Sequence, residues 1–332
     1  MKKVMIVPGD GVGPEVVSAT HKVLTVLTKD IEFIRFDAGL RYYKEQGYSM
    51  SRALLEAAKD CDAILLGTIT DSNERGYVNP EYELIRFLGL TARVHRIASV
   101  VPDIAIDDID TYIITPNEIS NPITEMEDVD GITRNVRMQY RNSKTVFDTA
   151  SEIGEHLGLK EITCVNYSDL YKMTGERYRD GFYESLKKKG FTLSDMTVEQ
   201  FMPTMIKKNK KFEIITTPLV YSHLISSALV TVAGGLNITA VEDYDRDSAV
   251  FKPAHGPMQE IAGTDKVNPI GSLMSGAMML KHFGMFAEAK TLEAAIRSAS
   301  RNGYLTEDMG GHMSRTELME KIVSYCTEHG VS

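Results

Sequence analysis

The stretch Pro8-Gly-Asp-Gly-Val-Gly-Pro-Glu15 sets the organisation of the first part of the chain. It follows the apolar run Val4–Val7 and precedes residues whose apolar side chains recur at helical spacing, so it connects a strand to a helix. Glycines at such a turn allow a phosphate to approach the backbone at a helix N-terminus. However, Gly9, Gly11 and Gly13 follow the pattern GxGxG, whereas the dinucleotide-binding fingerprint has its third glycine one residue later. Two roles therefore remain open for this turn: phosphate binding, or a tight strand-to-helix connection.

Outward from this turn, strand-like and helix-like segments alternate through the first hundred residues. Ile31–Phe36 and Asp62–Leu66 have the apolar character of buried strands. Ser51 stands where it can cap a helix that ends at Asp60. A βαβαβ order of this kind predicts a parallel sheet covered by helices.

The segment from about residue 115 to 135 breaks this alternation, because it is polar and is interrupted by Pro116 and Pro122. Such a composition predicts an extended arm or a hairpin and disfavours a helix. Further along, Ser314 and Glu317 form a capping-box pattern that predicts the start of the last helix. The remaining periodic segments predict helices over residues 141–157 and 270–283, the second with a methionine-rich core face, and strands over residues 161–165 and 212–216.

Composition excludes several classes of function. The 332 residues carry a formal net charge of -9, which disfavours binding to nucleic acid or to an anionic membrane surface. No apolar run reaches the ~18 residues that a membrane-spanning helix needs. The short apolar run before Pro8 does not fit a signal peptide, and Cys61, Cys164 and Cys326 lack the spacing of a disulfide framework. We therefore expect a cytoplasmic protein.

A second candidate functional segment is Ala254-His-Gly-Pro-Met-Gln-Glu-Ile-Ala-Gly-Thr-Asp-Lys-Val-Asn-Pro269. It offers backbone amides for a phosphate, the Glu260 carboxylate for ribose hydroxyls, and the Asn268 amide for the edge of a base. A capped surface loop without a ligand is the alternative interpretation.

In their order along the chain, these segments resemble the isocitrate and isopropylmalate dehydrogenase family, the metal-dependent β-decarboxylating dehydrogenases. The resemblance implies an α/β, isopropylmalate dehydrogenase-like fold of two domains, which is not a Rossmann fold. It places the large nucleotide-binding domain in residues 1–98 and 238–332, from both chain ends. It places a small dimerisation and substrate domain, with the arm, in residues 99–237. The matching motifs are Ile6-Val-Pro-Gly-Asp-Gly-Val-Gly-Pro-Glu-Val16, Asp62-Ala-Ile-Leu-Leu-Gly67, the His255 to Pro269 loop, Ser275 to Gly284, and Asp308-Met-Gly-Gly311.

The resemblance also implies a cofactor and the residues that bind it. The family holds the adenine nucleotide on the loop that corresponds here to His255, Gly256, Glu260, Ile261 and Asn268. A carboxylate at Glu260 suits free ribose hydroxyls and repels a 2'-phosphate, so NAD is expected in preference to NADP. The residues expected beside the nicotinamide are Gly67 and Thr70.

The metal-binding pattern of the family is altered in this chain. The family oxidises and decarboxylates a 2-hydroxy acid with a divalent cation, and a hard ion such as Mg2+ requires oxygen ligands. One ligand position corresponds to Glu199, but Ser222 and Ser226 stand for two aspartates in Tyr221-Ser-His-Leu-Ile-Ser226. The sequence therefore gives little support for bound Mg2+ or Mn2+.

The proton-transfer and substrate positions are altered as well. Tyr167 stands where the family has a catalytic lysine, and Asp169 is a second candidate nearby. Of the arginines that clamp substrate carboxylates, the first corresponds to Arg86 and the second to Arg96 or, with a gap of one residue, to His95. The third arginine and the catalytic tyrosine have no evident counterpart.

Three hypotheses follow from the resemblance and its departures. Because several catalytic positions differ together, the first is a non-catalytic or regulatory NAD-binding subunit. The second is an active NAD-dependent oxidative decarboxylase of a 2-hydroxy acid of the isocitrate or isopropylmalate type. The third is a different, metal-free enzyme that uses Tyr167, Asp169, Tyr221 or His223. The expected partners are a second copy or a catalytic paralogue, and a small anionic metabolite.

Overall fold

A computed structural model describes residues 1–119, 124–208, 210–245 and 248–330. The strands are β1 (Lys2–Gly9), β2 (Ile31–Arg35), β3 (Ala63–Thr68), β4 (Ala92–Ala98), β5 (Asp110–Pro116), β6 (Thr124–Asp128), β7 (Gly131–Asn135), β8 (Glu161–Asn166), β9 (Thr192–Thr197), β10 (Ile214–Thr216), β11 (Ala240–Asp245) and β12 (Ser248–Pro253). The α-helices are α1 (Gly13–Leu27), α2 (Leu40–Gln46), α3 (Arg52–Lys59), α4 (Pro80–Leu88), α5 (Tyr140–Leu157), α6 (Arg177–Leu186), α7 (Val198–Ile206), α8 (Leu219–Ala233), α9 (Ile270–His282), α10 (Phe286–Arg301) and α11 (Arg315–His329).

One large sheet organises the described residues. Its strand order is β2-β1-β3-β12-β11-β4-β5-β10-β8-β9. Strand β12 runs parallel to β3, while β11 runs antiparallel to both β12 and β4. Strands from late in the chain thus lie between strands from its beginning, which confirms the α/β fold in which one part is built from both chain ends.

Local signals in the sequence explain several helix starts. The Ser51 hydroxyl accepts a hydrogen bond from the Leu54 amide at the start of α3. Ser314 and Glu317 form the reciprocal capping box of α11. Both predicted caps are confirmed, and each is worth about 1 kcal/mol of helix stability.

The hydrophobic core includes the space between the sheet and the helices that cover it. All residues of α9 from Ile270 to Leu280 are buried, so the methionines of this helix fill the core as predicted. Helix α9 packs on α1 and α10. The cysteines Cys61, Cys164 and Cys326 are buried free thiols. Among the described helices, none has both the length and the apolar character required to cross a membrane.

A hairpin formed by β6 and β7 lies within the predicted arm. The two strands pair only with each other, as a separate two-stranded sheet, among the residues that the structure describes. Every residue of both strands is exposed. Pro122, on which part of the prediction rests, lies outside the described residues.

Candidate nucleotide and substrate cleft

Three backbone amides of the glycine-rich turn after β1, those of Asp10, Val12 and Gly13, donate within the protein. The amide of Asp10 donates to the Thr68 carbonyl over 2.7 Å, and that of Val12 donates to the Pro257 carbonyl over 2.9 Å. Gly11 has a φ of +56°, and a Cβ there would overlap the Pro257 carbonyl. Of the two roles left open by the sequence, these contacts support the tight connection, which also holds the loop at residues 255–269.

Two carboxylates of this stretch, Asp10 and Glu15, fix the neighbouring segments. Asp10, only 4% exposed, accepts hydrogen bonds from the amides of Leu40, Arg41 and Thr70 over 2.9 to 3.0 Å. It thereby caps the start of α2. Glu15, in the first turn of α1, accepts from the Gly263 amide over 2.7 Å. The turn, α2 and the loop therefore form one connected unit.

His255 and Asn268 stabilise the ends of the loop. The buried His255 ring lies with Nδ1 3.0 Å from the Gly256 carbonyl, which can only accept, so Nδ1 carries the proton. Burial lowers the pKa of this histidine, and Nε2 has no hydrogen-bond partner among the described residues. Asn268 donates to Asp308 and accepts from the Ile270 amide, each over 3.0 Å. Its amide is thus already bonded at both ends, which differs from the free base-reading amide expected from the sequence.

The middle of the loop borders a cavity of ≈ 570 Å3. Gln259 Nε2 donates to Thr70 Oγ1 over 2.8 Å, so the structure brings the loop and the predicted nicotinamide-side residue Thr70 together. Arg41 and Lys44 line the same cavity and supply positive charge suited to a phosphate. Neither residue was expected from the sequence, because nothing in the pattern of the short helix α2 relates it to the loop.

The remaining predicted nucleotide residues differ in environment. Gly256 and Glu260 are exposed on the loop, and a Cβ at Gly256 would meet open space. Ile261 packs partly buried against the core. Gly67 lies inside β3, where a Cβ would overlap the Pro8 carbonyl, so packing between β1 and β3 accounts for this glycine.

The structure corrects the assignment of Arg96 as a substrate arginine. Its side chain has no solvent exposure, and its guanidinium forms ion pairs with Asp110 at 2.8 Å and Glu293 at 2.5 Å. In β4, alternate side chains point to opposite faces of the sheet. Arg96 therefore lies on the face opposite His95, and its charge is neutralised in the interior. Arg86 is 62% exposed on α4 and lies 3.5 Å from Glu83, so the two predicted substrate arginines are not brought together.

Arg93, which was not expected from the sequence, holds a cluster of charged residues on the His95 face. It donates through Nε and Nη2 to the wholly buried Asp243 over 2.7 and 3.0 Å. Its Nη1 donates to Glu118 over 3.0 Å, and Nη2 lies 3.3 Å from Glu81, which also pairs with Lys252. The Arg93 cluster consists of Glu81, Arg93, Glu118, Asp243 and Lys252. The alternation of side chains along β4 places Arg93 on the same face as His95, and this pattern in the sequence could have identified Arg93.

The charges of the Arg93 cluster are almost balanced. Its three carboxylates face two cations, which leaves a formal charge of -1. His95 does not add a positive charge, because burial, Arg93 and Lys252 lower its pKa to about 3. His223 lies 3.3 Å from Glu118 at the exposed edge of the cluster. The Arg93 guanidinium is therefore already bound by carboxylates of the chain itself.

The predicted catalytic tyrosine forms a second, separate group. Tyr167 donates a hydrogen bond to Glu199, which raises the pKa of the phenol and lowers that of the carboxyl. The Tyr167 ring lies 5.0 Å from that of Tyr221. Asp169 is exposed in the turn after β8, with no hydrogen bond or ion pair to any described residue. The structure thus brings Tyr167 and Glu199 together but leaves Asp169 apart.

Of the three predicted metal positions, Glu199, Ser222 and Ser226, only Glu199 offers a carboxylate. Ser222 and Ser226 are buried on α8, where their hydroxyls donate to the carbonyls of Leu219 over 2.7 Å and His223 over 3.3 Å. Mg2+ is held by carboxylates, carbonyls and water, and the Glu199 carboxylate is engaged by the Tyr167 phenol. Within the described ranges, no group of three or more histidine, cysteine, aspartate or glutamate side chains is arranged to hold a metal ion.

The chain belongs to the isocitrate/isopropylmalate dehydrogenase family, whose model matches residues 3–323. It is 26% identical over 333 residues to the 3-isopropylmalate dehydrogenase of Archaeoglobus fulgidus, covering 98% of this chain and 99% of that protein. It is 24% identical over 336 residues to a regulatory subunit of the mitochondrial NAD isocitrate dehydrogenase of Dictyostelium discoideum, covering 99% of this chain and 93% of that protein.

The fold has a close match among solved structures. A β-decarboxylating dehydrogenase from Thermococcus kodakarensis superposes with a TM-score of 0.90 at 24% identity, covering 99% of this chain and 97% of the other. At this identity the likeness shows the shared fold.

Proposed function

We propose that this chain is a NAD-binding, non-catalytic or regulatory member of its family, which acts in an oligomer with a catalytically active relative. The ion pairs of Arg96 and Arg93 carry this proposal. A dehydrogenase of this family has to hold substrate carboxylates with arginines, but Arg96 is bound by Asp110 and Glu293. Arg93, three residues earlier in β4, is occupied by Asp243, Glu118 and Glu81.

Energetics favour this assignment. A substrate carboxylate that bound Arg93 would displace the wholly buried Asp243 from its two hydrogen bonds. Breaking a buried ion pair leaves an uncompensated charge and costs about 3–5 kcal/mol. The residual negative charge of the cluster adds repulsion toward a di- or tricarboxylate.

The exposed loop supports nucleotide binding. Glu260 stands free on the loop, while Arg41 and Lys44 line the cavity next to Thr70 and Gln259. The arrangement suits a pyrophosphate beside the two cations and a ribose with free hydroxyls beside the carboxylate. It favours NAD over NADP.

Exposed apolar residues support an oligomer. In the hairpin, Met126 is 60%, Val129 101% and Ile132 68% exposed. Helix α8 also leaves Val220 and Leu224 about half exposed, although it is apolar on most of its surface. Unpaired strand edges and apolar surface of this kind are typical of a protein interface. We assign residues 99–237 to the interface domain, and residues 1–98 and 238–332 to the nucleotide domain.

Two measurements on the purified full chain test the proposal. Calorimetric titration should show NAD binding roughly tenfold or more tighter than NADP. The variant Glu260→Gln should narrow this difference, while Glu320→Gln on the exposed face of α11 should not. Turnover is then measured with NAD, Mg2+ and isocitrate, isopropylmalate or homoisocitrate, and we expect none. Turnover by the chain alone would refute the non-catalytic assignment and establish the dehydrogenase. Co-purification with an active family member from the same genome is the expected positive result.

A metal-free enzyme is a second candidate, favoured by the hydrogen bond between Tyr167 and Glu199 beside Tyr221. A carboxylate that receives the phenol proton is an arrangement for proton transfer. If any turnover without added metal is found, Tyr167→Phe should abolish it. Undiminished turnover in that variant would remove Tyr167 from the mechanism.

A further inference from the structure

A cavity of ≈ 250 Å3 lies on the face of the sheet opposite the Arg93 cluster. It is bounded by α5 on one side, by β5 and β11 on the sheet, and by α9 on the other side. Two contacts cross it: Tyr244 donates to Glu152 over 2.9 Å, and His156 Nε2 donates to the Lys281 carbonyl over 2.6 Å. The cavity is separate from the loop at residues 255–269 and does not depend on the proposed function.

Tyr112 provides a polar group without a partner in this cavity. Its residue is only 6% exposed, yet its hydroxyl makes no hydrogen bond to any residue that the structure describes. The ring is held from behind by the Arg96 guanidinium, 5.7 Å from its centroid. The hydroxyl is therefore fixed at the cavity wall and available to a ligand.

Glu242 provides a buried carboxylate at the same wall. Its side chain is 8% exposed, and one oxygen lies 3.2 Å from His282 Nδ1. A carboxylate offers about four acceptor positions, so this contact leaves capacity for a further donor. The ammonium of Lys281 does not compensate Glu242, because it pairs with Glu293 at 2.9 Å. The cavity thus carries negative charge that a cationic ligand would neutralise.

Three side chains supply apolar surface next to these polar groups. Met278 of α9 and Ile153 and Leu157 of α5 line the cavity. We propose that this cavity is a binding site for a small primary alkylammonium ion, with its ammonium group between Glu242 and the Tyr112 hydroxyl and its alkyl chain against Met278 and Ile153. An occupant would contact α5 and α9 together and so reinforce the contacts that join these helices.

Calorimetric titration of the full chain with n-butylammonium chloride tests this proposal, with n-butanol as a neutral probe of equal length. We expect the cation to bind and the alcohol to bind at least roughly tenfold more weakly, because a charge-assisted hydrogen bond is lost. Glu242→Gln and Tyr112→Phe should each weaken binding of the cation by a similar factor. Glu184→Gln, an exposed carboxylate on α6, is the matched control and should bind as the wild type does.

Three results would overturn the proposal: no heat of binding for the cation, equal binding of the alcohol, or wild-type affinity in both variants. Circular dichroism establishes that each variant is folded. Tyr112→Phe removes a single hydroxyl, so it tests the site even if Glu242→Gln does not fold.

Discussion

Replacing Glu293 with glutamine removes one negative charge from the interior while keeping the size of the side chain. Glu293 is 13% exposed and binds both Arg96 and Lys281. Burial alone would raise the pKa of this carboxyl, but the two cations outweigh burial and lower it from 4.5 to about 2. The ionised form is therefore stabilised in the folded protein relative to the unfolded chain.

This difference sets the size and the pH dependence of the effect. A pKa lowered from 4.5 to about 2 corresponds to about 3 kcal/mol of stability at neutral pH. Because the folded pKa is the lower one, the contribution is complete above the unfolded pKa and is lost as the pH falls toward 2. We expect Glu293→Gln to reduce the free energy of unfolding by about 3 kcal/mol at pH 7 and by about 1 kcal/mol at pH 3.

Urea denaturation of the wild type and the variant at several pH values measures both quantities. Glu320→Gln, an exposed residue of α11, is the control and should change stability by less than about 0.5 kcal/mol. A loss in Glu293→Gln that stays constant from pH 7 to pH 3, or that is no larger than in the control, would refute the ionic explanation.

Other predictions concern the turn, the last helix and the hairpin. Asp10→Asn removes a charged acceptor of three amides and should lower the free energy of unfolding by about 1–3 kcal/mol, measured in urea; an unchanged midpoint contradicts the capping role. Ser314→Ala should cost about 1 kcal/mol through the lost cap of α11, and Ser314→Thr should retain most of it. Ile132→Asp places a charge on the exposed hairpin and should shift the mass measured by light scattering from oligomer to monomer. Thr133→Asp, on the other face of the same strand, is the control and should leave the mass unchanged. An unchanged mass in Ile132→Asp excludes the hairpin from the interface.

The sequence predicted the parts of the fold that depend on local signals. The caps at Ser51 and Ser314 and the buried helix from Ile270 each follow from a pattern within a few residues, and the structure has all of them. The seven-residue helix from Leu40 to Gln46 was missed because it has no buried face of its own. Its start is instead fixed by the distant Asp10.

The candidate site was harder to predict because it depends on which face each side chain uses. The sequence alone left Arg96 and His95 as alternatives, one residue apart. In a strand, that single residue places them on opposite faces, and only the pairing of β4 with its neighbours decides which face is the cleft. Ser222 and Ser226, at the positions of two aspartates of the family, lie on a helix, where four-residue spacing turns both hydroxyls to the buried side.

The position of β11 and β12 between β3 and β4 also constrains how the chain acquires its structure during synthesis. Strands β3 and β4 cannot be joined into one sheet until residue 253 has left the ribosome, because their pairing partners come from that late segment. Until then, one edge of β3 and one edge of β4 lack their neighbouring strands in the nascent chain. Such unpaired edges are sites for aggregation or chaperone binding. Contacts so distant in sequence also slow folding. The pairing of β11 and β12 with β3 and β4, in the middle of the sheet, is therefore completed last.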